Sequence, residues 1–419
     1  MKFTMHKIIN TDVTIVGAGP GGATTSLFLS KEKISHLVLD KKRFPRDKIC
    51  GDALGGLVAS ILKKINPQFE TELNQDKGKF LPCHGLQVIA PNGKFIDIPY
   101  NSGANKKGFS PCFTSKRIDF DNYLVNKFDS RYSTFLSGAE IDKLEYKNGN
   151  IEVTALQNGQ PIIIKSKIII GADGERSIVA KHLALHTKDK NHFCGGLRAY
   201  YKNVDGLHQQ NFIELHFYKK LLPGYFWIFP LPNGYANVGL AALSSAISRK
   251  KMNLKKLMQE IISEHPLVNH RFRNAECVDN MKGWGLPLGS ERKNISGKNF
   301  LLVGDAASLI DPFSGEGVGN AMFSGMIAAS HVKKRLEENK FDGQTMMQYD
   351  TEIYNRLGKE LKISRAMQRL ANYPWLMNFI ANKASRNEEL RLVLSSMLSN
   401  SDERKKLKNP FFYLRTLFN

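Results

Sequence analysis

Apolar and polar residues alternate along the chain with two different periods. Four short apolar runs predict buried strands, at residues 11–16, 36–39, 168–170 and 299–303. Alternation of period two across residues 136–166, and a strand-rich stretch at residues 193–243, predict further short strands. The later part of the chain has helical spacing, which predicts helices at about residues 322–338, 344–371 and 386–399. The pattern therefore predicts an α/β protein with a strand-rich middle and a helical C-terminal part.

Two hairpins are predicted inside the strand-rich regions. One spans residues 87–98, with Pro91, Asn92 and Gly93 at its turn. The other lies within residues 221–248, which carry no charge and could be taken for a membrane span. Prolines, glycine and asparagines interrupt this stretch, whereas a spanning helix needs about 20 mainly apolar residues. A hairpin with its turn at residues 232–234 is the better interpretation.

The charge of the chain is far from balanced. Its 419 residues include 60 Lys and Arg against 39 Asp and Glu, a formal net charge of +21. Such a field attracts anionic partners, namely an anionic lipid surface, an acidic ferredoxin-like redox protein or nucleic acid. Any single basic cluster can also be plain solvated surface. We expect no nucleic-acid partner, because no binding motif accompanies the dispersed basic clusters.

Cysteine usage and the N-terminus bear on location. Five cysteines without a CxxC pair favour reduced thiols, and the short polar N-terminus shows no signal peptide. We expect a cytoplasmic protein without a bound metal.

The first glycine-rich loop lies at residues 17–22, GAGPGG, directly between a predicted strand and a predicted helix. An acid, Asp40, ends the next strand at the spacing of a dinucleotide-binding fold. In such a fold Gly17 allows the tight turn, Gly19 admits the pyrophosphate, and Gly22 lets the helix pack closely on the strand. A purely structural glycine turn is the alternative, and the strand–helix context disfavours it.

A second glycine-rich loop, residues 304–320, follows the strand at residues 299–303 and opens a helix. Glycines at a helix start let backbone N–H groups approach a phosphate or a flat ring. A third loop, residues 171–177, follows the strand at residues 168–170. These loops indicate a cofactor site made of separated segments.

Two further segments carry candidate chemistry. Residues 43–52 form a charged loop that ends on a small apolar patch around Cys50. In the uncharged hairpin Tyr225, Trp227 and Phe229 share one face of an extended strand, because side chains alternate. From the pattern alone, core packing and a ligand wall explain these aromatics equally well.

Together the three loops resemble the FAD-dependent superfamily of aromatic hydroxylases, flavin-dependent halogenases and geranylgeranyl reductases, over residues 10–330. The resemblance implies that FAD is the cofactor; no second GxGxxG is present for a nicotinamide. It implies that Gly17, Gly19, Gly22 and Asp40 bind the ADP half. Arg117 and Asp173 would lie near the cofactor, and Asp305 would bind the ribityl-pyrophosphate region. The implied residues near the flavin at the helix start are Gly315, Gly317, Val318 and Gly319.

Two motifs are similar to the geranylgeranyl reductase branch. FPRDKICG resembles the PxxKxCG motif, which implies that Lys48 binds the cofactor and that Cys50 and Gly51 have functional roles. GYFWIFP matches YxWxFP at residues 225–230, whose aromatics line the cavity beside the flavin in that branch. The chain departs from the branch at Asp40, where Glu is usual, and at Asp52, where many archaeal members have a second glycine. The CGD form is more like bacterial members, some of which reduce a menaquinone side chain.

The implied fold class is α/β: a Rossmann-type FAD-binding domain interleaved with an antiparallel-sheet substrate domain, plus C-terminal helices. The FAD-binding domain would comprise residues 1–75, 113–185 and 286–338. The substrate domain would comprise residues 76–112 and 186–285, and the C-terminal helical region residues 339–419.

The implied activity is reduction of isolated C=C bonds in a prenyl lipid, of the geranylgeranyl or polyprenyl-quinone type, by hydride from reduced flavin. Tyr225 and Trp227 would stabilise cationic character, and Cys50 would donate the proton or gate the substrate. The alternatives are an FAD-dependent monooxygenase or halogenase on an aromatic substrate, and a non-catalytic lipid-binding protein that keeps FAD. The aromatic and basic residues 411–418 suggest peripheral contact with the inner face of the membrane, or else core packing.

Overall fold

The computed structural model describes residues 7–100 and 112–387 of the chain. The helices of this part are α1 Pro20–Lys31, α2 Gly56–Ile65, α3 Gln68–Gln75, α4 Arg117–Val125, α5 Ile178–His182, α6 Ser244–Arg249, α7 Leu254–Glu264, α8 Val318–Glu338, α9 Gly343–Met346, α10 Gln348–Leu370 and α11 Pro374–Ala384. The strands are β1 Lys7–Val16, β2 His36–Asp40, β3 Ala53–Leu54, β4 Leu81–Cys83, β5 Gly85–Ile89, β6 Phe95–Pro99, β7 Cys112–Thr114, β8 Ser133–Ser137, β9 Ala139–Lys147, β10 Asn150–Gln157, β11 Gln160–Gly171, β12 Phe193–Lys202, β13 Ile213–His216, β14 Gly224–Leu231, β15 Tyr235–Leu243, β16 Glu276–Cys277, β17 Lys282–Pro287, β18 Ser296–Gly297 and β19 Phe300–Leu302.

Both predicted hairpins are confirmed. β5 and β6 flank the turn at residues 91–93, and β14 and β15 flank the turn at residues 232–234. The predicted helices at 322–338 and 344–371 correspond to α8, α9 and α10. Residues 388–399 of the last predicted helix, and the aromatic and basic residues 411–418, lie outside the described residues.

The chain divides into two compact units whose bounds differ from those of the predicted domains. Unit 1 comprises the residues up to Asp47, then Arg117–Asp189 and Pro287–Ile363. Unit 2 comprises Lys48–Lys116, Lys190–Leu286 and the residues from Ser364 onward. Residues 48–75, predicted with the FAD-binding domain, thus fall in unit 2, where β3 pairs with β7. The functions assigned to the two domains stay predictions.

Unit 1 is built on an eight-stranded mixed sheet. Its path runs β18-β19-β11-β1-β2-β8, and β10 and β9 continue from β11. β19, β11, β1, β2 and β8 are parallel to one another. The central strands are fully buried at Val13, Ile15 and Ile168, as expected for strands of continuous apolar sequence covered on both faces. The carboxyl ends of these parallel strands lead into the three glycine loops, which is where ligands bind in open α/β sheets.

In unit 1, α1 and α8 pack together by backbone contact. A Cβ atom placed on Gly325 of α8 would lie 2.4 Å from the carbonyl oxygen of Gly21 in α1. It would also lie 2.9 Å from the hydroxyl of Thr25. Real Cβ atoms do not approach backbone oxygen so closely, so the two helices can cross here only because residue 325 is glycine.

Unit 2 is built on a second eight-stranded sheet, of path β16-β12-β15-β14-β13-β5-β6, with β17 pairing with β12. Along this path the pairs are antiparallel except β13 with β5, which run parallel. One face of β14 and β15 buries Phe226, Ile228 and Val238 against Met258 of α7. Because side chains alternate, the opposite face of β14 presents Tyr225, Trp227 and Phe229.

Among the described residues no helix is long and apolar enough to cross a membrane. Residues 7–100 and 112–387 also contain no group of three or more His, Cys, Asp or Glu side chains arranged to bind a metal ion.

The helix crossing gives a prediction with a matched control. We expect Gly325→Ala to lower the free energy of unfolding by about 1–3 kcal/mol, because the new methyl group overpacks the contact with Gly21. Gly358 lies inside α10, and its Cβ would meet only ordinary contacts with Tyr354, the closest at 3.6 Å. Gly358→Ala should therefore raise stability by up to about 1 kcal/mol through helix propensity. Urea denaturation measures both, and a neutral Gly325→Ala would contradict the crossing.

Candidate functional site

The loop at residues 17–22 has the backbone geometry that a dinucleotide requires. Gly17 has a φ of +101°, and a Cβ there would lie 2.3 Å from the carbonyl oxygen of Ala172. A Cβ on Gly22 would lie 1.9 Å from the carbonyl oxygen of Gly17. Around Gly19, by contrast, the nearest atom to such a Cβ is Nη2 of Arg46, at 3.6 Å. No side chain therefore fits at Gly17 or Gly22, whereas space remains at Gly19, beside the guanidinium of Arg46.

The carboxylate of Asp40 is tied to the glycine loop. The backbone N–H of Ala18 donates to Oδ2 of Asp40 at 2.9 Å, and the N–H of Lys42 donates to Oδ1 at 2.9 Å. Nη2 of Arg46 lies 3.5 Å from Oδ2. Asp40 thus fixes the end of β2 against the loop, and the second lone pair of Oδ1 leaves it able to accept from a ribose hydroxyl.

A buried ion-pair cluster positions Arg46. Asp121 of α4 is fully buried and accepts from Nε and Nη2 of Arg117 at 2.6 and 2.8 Å. Its Oδ2 also accepts from Nη1 of Arg46 at 2.7 Å. Burial alone would raise the pKa of Asp121, but the two arginine charges outweigh burial and lower it. Arg117, predicted to lie near the cofactor, therefore acts on the same carboxylate that orients Arg46.

The loop at residues 171–177 contacts the loop at residues 17–22. Asp173 accepts from the hydroxyl of Ser177 at 2.5 Å and from the N–H of Ile178 at 2.7 Å, so it caps the start of α5. Burial raises the pKa of Asp173. The backbone of Ala172 and Asp173 contacts the Gly17 position. The predicted role of Asp173 at the cofactor stays a prediction; its visible partners belong to its own loop.

The late loop combines a tight turn with the start of a long helix. Gly304 and Ser308 have φ values of +59° and +55°, and Asp305 lies between them, partly exposed. Gly317 precedes α8 without a side chain that caps the helix. A Cβ on Gly317 would lie 3.8 Å from Oδ1 of Asp305. The loop thus brings a carboxylate and the amino end of a 21-residue helix together.

An acid that sequence reasoning missed lies at the same helix start. Oε1 of Glu316 accepts from the N–H of Gly319 at 2.6 Å. Burial raises the pKa of Glu316 to about 7; the Gly319 hydrogen bond lowers it, and the charge of Asp311 adds to the increase. Gly315 beside it has a φ of +73°, and Val318 is buried. Near neutral pH this helix start therefore carries an exchangeable proton.

These features of unit 1 fit FAD. An open glycine at a helix start with a guanidinium beside it suits a pyrophosphate. The amino end of α8 suits the negative charge that a reduced flavin carries. Gly17, Gly19, Gly22, Asp40 and Arg46 would bind the ADP half. Asp305 and the helix start at residues 315–319 would bind the flavin half.

In unit 2 the two remaining motifs meet. A Cβ on Gly51 would lie 3.1 Å from the ring of Phe229 and 3.9 Å from Nε1 of Trp227. The rings of Tyr225 and Trp227 are 6.1 Å apart, as are those of Trp227 and Phe229. The loop at residues 48–52 therefore packs on the aromatic face of β14. Lys48 belongs to this unit, whereas the other predicted cofactor-binding residues belong to unit 1.

Asn237 of β15 joins these motifs by three hydrogen bonds. Its Oδ1 accepts from Nε1 of Trp227 at 2.8 Å. Its Nδ2 donates to the carbonyl oxygen of Cys50 at 2.7 Å and to Oδ2 of Asp52 at 2.8 Å. Asn237 is fully buried. One amide thus sets both the orientation of the indole and the path of the loop that carries Cys50.

Asp52 occupies the left-handed backbone region, which glycine adopts most readily and, among other residues, asparagine and aspartate adopt most often. Its φ is +70° and its side chain is fully buried. The hydroxyl of Tyr200 donates to Oδ2 at 2.8 Å, and the N–H of Ser115 donates to its carbonyl oxygen at 3.0 Å. The guanidinium of Arg198 lies 3.9 Å from the centre of the Tyr200 ring. These contacts compensate for the cost of the positive φ at Asp52.

Comparisons with known proteins agree with this arrangement. The family model described as "Geranylgeranyl reductase catalytic domain" matches residues 194–283, and the one described as "FAD binding domain" matches residues 10–54. The digeranylgeranylglycerophospholipid reductase of Methanococcus vannielii is 28% identical over 385 residues, covering 90% of this chain and 91% of that protein. The menaquinone reductase of Mycobacterium tuberculosis is 26% identical over 419 residues, covering 93% and 91%.

Solved structures share the fold. A geranylgeranyl bacteriochlorophyll reductase-like protein from Thermoplasma acidophilum superposes with a TM-score of 0.78 at 22% identity, covering 96% of this chain and 99% of that one. Flavin-dependent halogenases also match, with TM-scores of 0.69 to 0.73 at 15 to 18% identity. Identities this low establish the architecture alone.

The glycine loops and the matched FAD-binding segment define the class of the protein: it is an FAD-dependent oxidoreductase. Within that class the resemblance to the geranylgeranyl reductase family is confirmed, by the catalytic-domain match and by relatives aligned over nine tenths of the chain. The predicted α/β fold, with parallel and antiparallel sheets and C-terminal helices, is confirmed as well. Besides the two eight-stranded sheets, the described residues form a three-stranded sheet, β3-β7-β4.

The position of Arg46 gives a prediction about cofactor affinity. We expect Arg46→Gln to weaken FAD binding by about 10- to 150-fold, the equivalent of losing one charge-assisted contact of about 1.5–3 kcal/mol. Arg43→Gln is the control, because Arg43 is an exposed cation of the same loop whose guanidinium bonds to Asn158. Titration of the apoprotein with FAD, followed by flavin fluorescence, measures both variants. Equal affinities would contradict the role of Arg46.

The conformation of Asp52 gives a second prediction. Asp52→Gly and Asp52→Ala both remove the carboxylate, but only alanine keeps the backbone strain, so the alanine variant should be less stable by about 1–2 kcal/mol. Asp52→Asn should be more stable than either, since asparagine tolerates this φ and can still accept from Tyr200. Urea denaturation measures this order.

The 19F signal of 5-fluorotryptophan at Trp227 should shift in the glycine and alanine variants and recover in the asparagine variant. An unchanged indole signal in all three variants would show that Asp52 does not act through Asn237.

Proposed function

We propose that the protein reduces isolated C=C bonds of a prenyl lipid, of the geranylgeranyl or polyprenyl-quinone type. The observation that carries the proposal is the Asn237 cluster, in which Asn237 joins the Cys50 loop to the aromatic face of β14. Asn237 and β14 lie in the segment that matches the catalytic domain. Relatives named as digeranylgeranylglycerophospholipid and menaquinone reductases support the lipid class.

Each reduction adds one hydride and one proton across a double bond. When bound and reduced, FAD supplies the hydride. An isolated alkene is a poor hydride acceptor, so the site must stabilise positive charge on carbon. The faces of Trp227 and Tyr225 can do this by cation–π attraction of about 0.5–2 kcal/mol per contact. The hydrogen bond from Trp227 to Asn237 fixes the indole so that its face need not reorganise.

The proton donor is a separate part of the proposal. Cys50 is partly buried, and its carbonyl oxygen accepts from Asn237, so the backbone that carries the thiol is fixed beside the aromatic face. Glu316 is a second acid able to carry a proton near neutral pH. Cys50→Ser with normal FAD binding but slower reduction would favour the thiol. A loss confined to Glu316→Gln would favour the carboxyl group.

The charge of the protein supports anionic partners. With a formal net charge of +21, both an acidic ferredoxin-like electron donor and an anionic membrane surface are favoured by long-range attraction. We propose a cytoplasmic location, peripheral to the inner face of the membrane, where a prenyl lipid would be met.

The test is a direct assay of reduction. The purified protein, with its flavin spectrum confirmed, is reduced by dithionite without oxygen and incubated separately with geranylgeranyl and polyprenyl-quinone lipids. We expect product masses that rise by two hydrogens per reduced bond. No mass gain with any prenyl lipid would refute the proposal.

The aromatic face gives a graded version of this test. Trp227→Leu should lower kcat/KM by about 2- to 30-fold, the equivalent of one cation–π contact. Trp227→Phe should recover part of the loss. Both variants lack the bond to Asn237, so the difference between them measures the ring face alone.

The oxygen-dependent alternative rests on the halogenase-like fold. If the reduced protein consumed oxygen and converted an aromatic compound into a hydroxylated or halogenated product, that function would replace the one proposed. Tyr225 stands where halogenases usually carry a second tryptophan in this motif, which disfavours that outcome. Anaerobic reoxidation of the flavin by a prenyl lipid would exclude a non-catalytic role.

A further inference from the structure

An exposed aromatic face lies at the C-terminal end of the described chain. Trp375 and Phe379 of α11 are 67% and 39% exposed, and Tyr373, just before the helix, is 53% exposed. Ala381 and Ala384 are the buried side of the same helix. Trp375 and Phe379 are four residues apart and so project from one face, away from that buried side. Together with Leu370, which is 50% exposed at the end of α10, they form what we call the α11 surface.

Polar contacts fix α11 on unit 2. The backbone N–H of Asn92, in the β5–β6 turn, donates to Oδ1 of Asn378 at 3.0 Å. Its side-chain Nδ2 donates to Oδ1 of Asn382 at 3.4 Å. These two asparagines lie one helical turn apart and anchor the flank of the helix. The aromatic face is therefore presented on a docked helix.

The described segment that carries this face is basic, and the next two residues of the sequence are Glu388 and Glu389. From Ser364 to Asn387 the sequence contains four cations and no Asp or Glu. The cations are Arg365, Arg369, Lys383 and Arg386. Arg369 and Arg386 are exposed, and Lys383 is partly exposed, four residues after Phe379 on the same side of the helix. Tryptophan and phenylalanine flanked by Lys and Arg are typical of helices that lie in the interface of a bilayer.

We propose that the α11 surface docks on an anionic lipid bilayer, with Trp375 and Phe379 inserted at the interface and the neighbouring cations against the headgroups. The local charge is complementary to an anionic surface, and amphipathic aromatic rings favour the headgroup level. The assignment deepens the proposed function, since it rests on a substrate that resides in a membrane. The competing occupant is the chain's own residues 388–419, which follow α11 directly.

The test uses the full-length protein with FAD bound and two kinds of vesicle, phosphatidylcholine alone and an equal mixture with phosphatidylglycerol. We expect sedimentation with the mixed vesicles only. Trp375→Ala combined with Phe379→Ala should weaken binding by about tenfold or more. Lys383→Gln combined with Arg386→Gln should weaken binding and reduce its salt dependence. The matched control is Leu185→Ala with Lys181→Gln, two exposed residues of unit 1, which should bind as the parent does.

Tryptophan fluorescence shows which occupant covers the surface. The chain has three tryptophans, and Trp375 is the most exposed of those with a described environment. Mixed vesicles should shift the emission to the blue, and Trp375→Phe should abolish the shift. If Trp375 is already shielded from acrylamide without vesicles, residues 388–419 or a second copy cover the face and the proposal fails. Equal binding by the aromatic variant and the control would also overturn it.

An activity assay separates this proposal from the proposed function. The aromatic variant should reduce a short prenyl substrate in detergent at the parent's rate, yet lose most activity on a prenyl lipid embedded in vesicles. Vesicle binding by a parent protein without any reductase activity would leave the docking surface standing and refute the substrate. If variant and parent reduced the embedded lipid equally well, the proposed substrate would stand and the docking surface would be refuted.

Discussion

Backbone atoms in unit 1 approach one another more closely than any side chain allows, and the cofactor site depends on this. Gly17 lies against the carbonyl oxygen of Ala172, and Gly22 lies over Gly17. Gly325 of α8 lies against the carbonyl oxygen of Gly21. These contacts draw the ends of β1 and β11 and the starts of two helices into one small region. Helix amino ends and strand carboxyl ends then converge where a pyrophosphate and a ring can be bound.

A second constraint is electrostatic. Asp121 is buried, and it stays ionised because Arg117 and Arg46 surround it. Arg117 satisfies one side of the carboxylate, so Arg46 can extend its other nitrogen toward Gly19 and Asp40. A guanidinium that is already oriented loses little freedom when an anion arrives. The ion pairs thus orient Arg46 beside the glycine loop as well as stabilising the fold.

In unit 2 the organising group is neutral. Asn237 uses its oxygen for the indole of Trp227 and its nitrogen for Cys50 and Asp52, so both polar atoms of the amide are engaged. An amide can join a donor and two acceptors without introducing charge, which suits a site meant for an apolar lipid. The aromatic face and the cysteine loop therefore form one cluster, although about 170 residues of sequence separate them.

Sequence pattern predicted the main strands and helices, both hairpins and a dinucleotide-binding loop, because glycine spacing, strand periodicity and hairpin turns are local properties of the chain. FAD in particular was implied by the resemblance of the three loops to a flavoprotein superfamily. The sequence also identified Cys50, Tyr225 and Trp227 as candidates, though it could not distinguish a ligand wall from a core. Tertiary structure decided the partners. Arg46 and Asn237 carry no local pattern, and their importance comes from contacts with residues distant in sequence. Glu316 contacts Gly319, close in sequence, but the burial that raises its pKa comes from the tertiary structure. Tertiary structure also decided the position of residues 48–52. The adjoining strand β3 pairs with β7, and Asp52 accepts a hydrogen bond from Asn237; both are long-range contacts that no periodicity encodes.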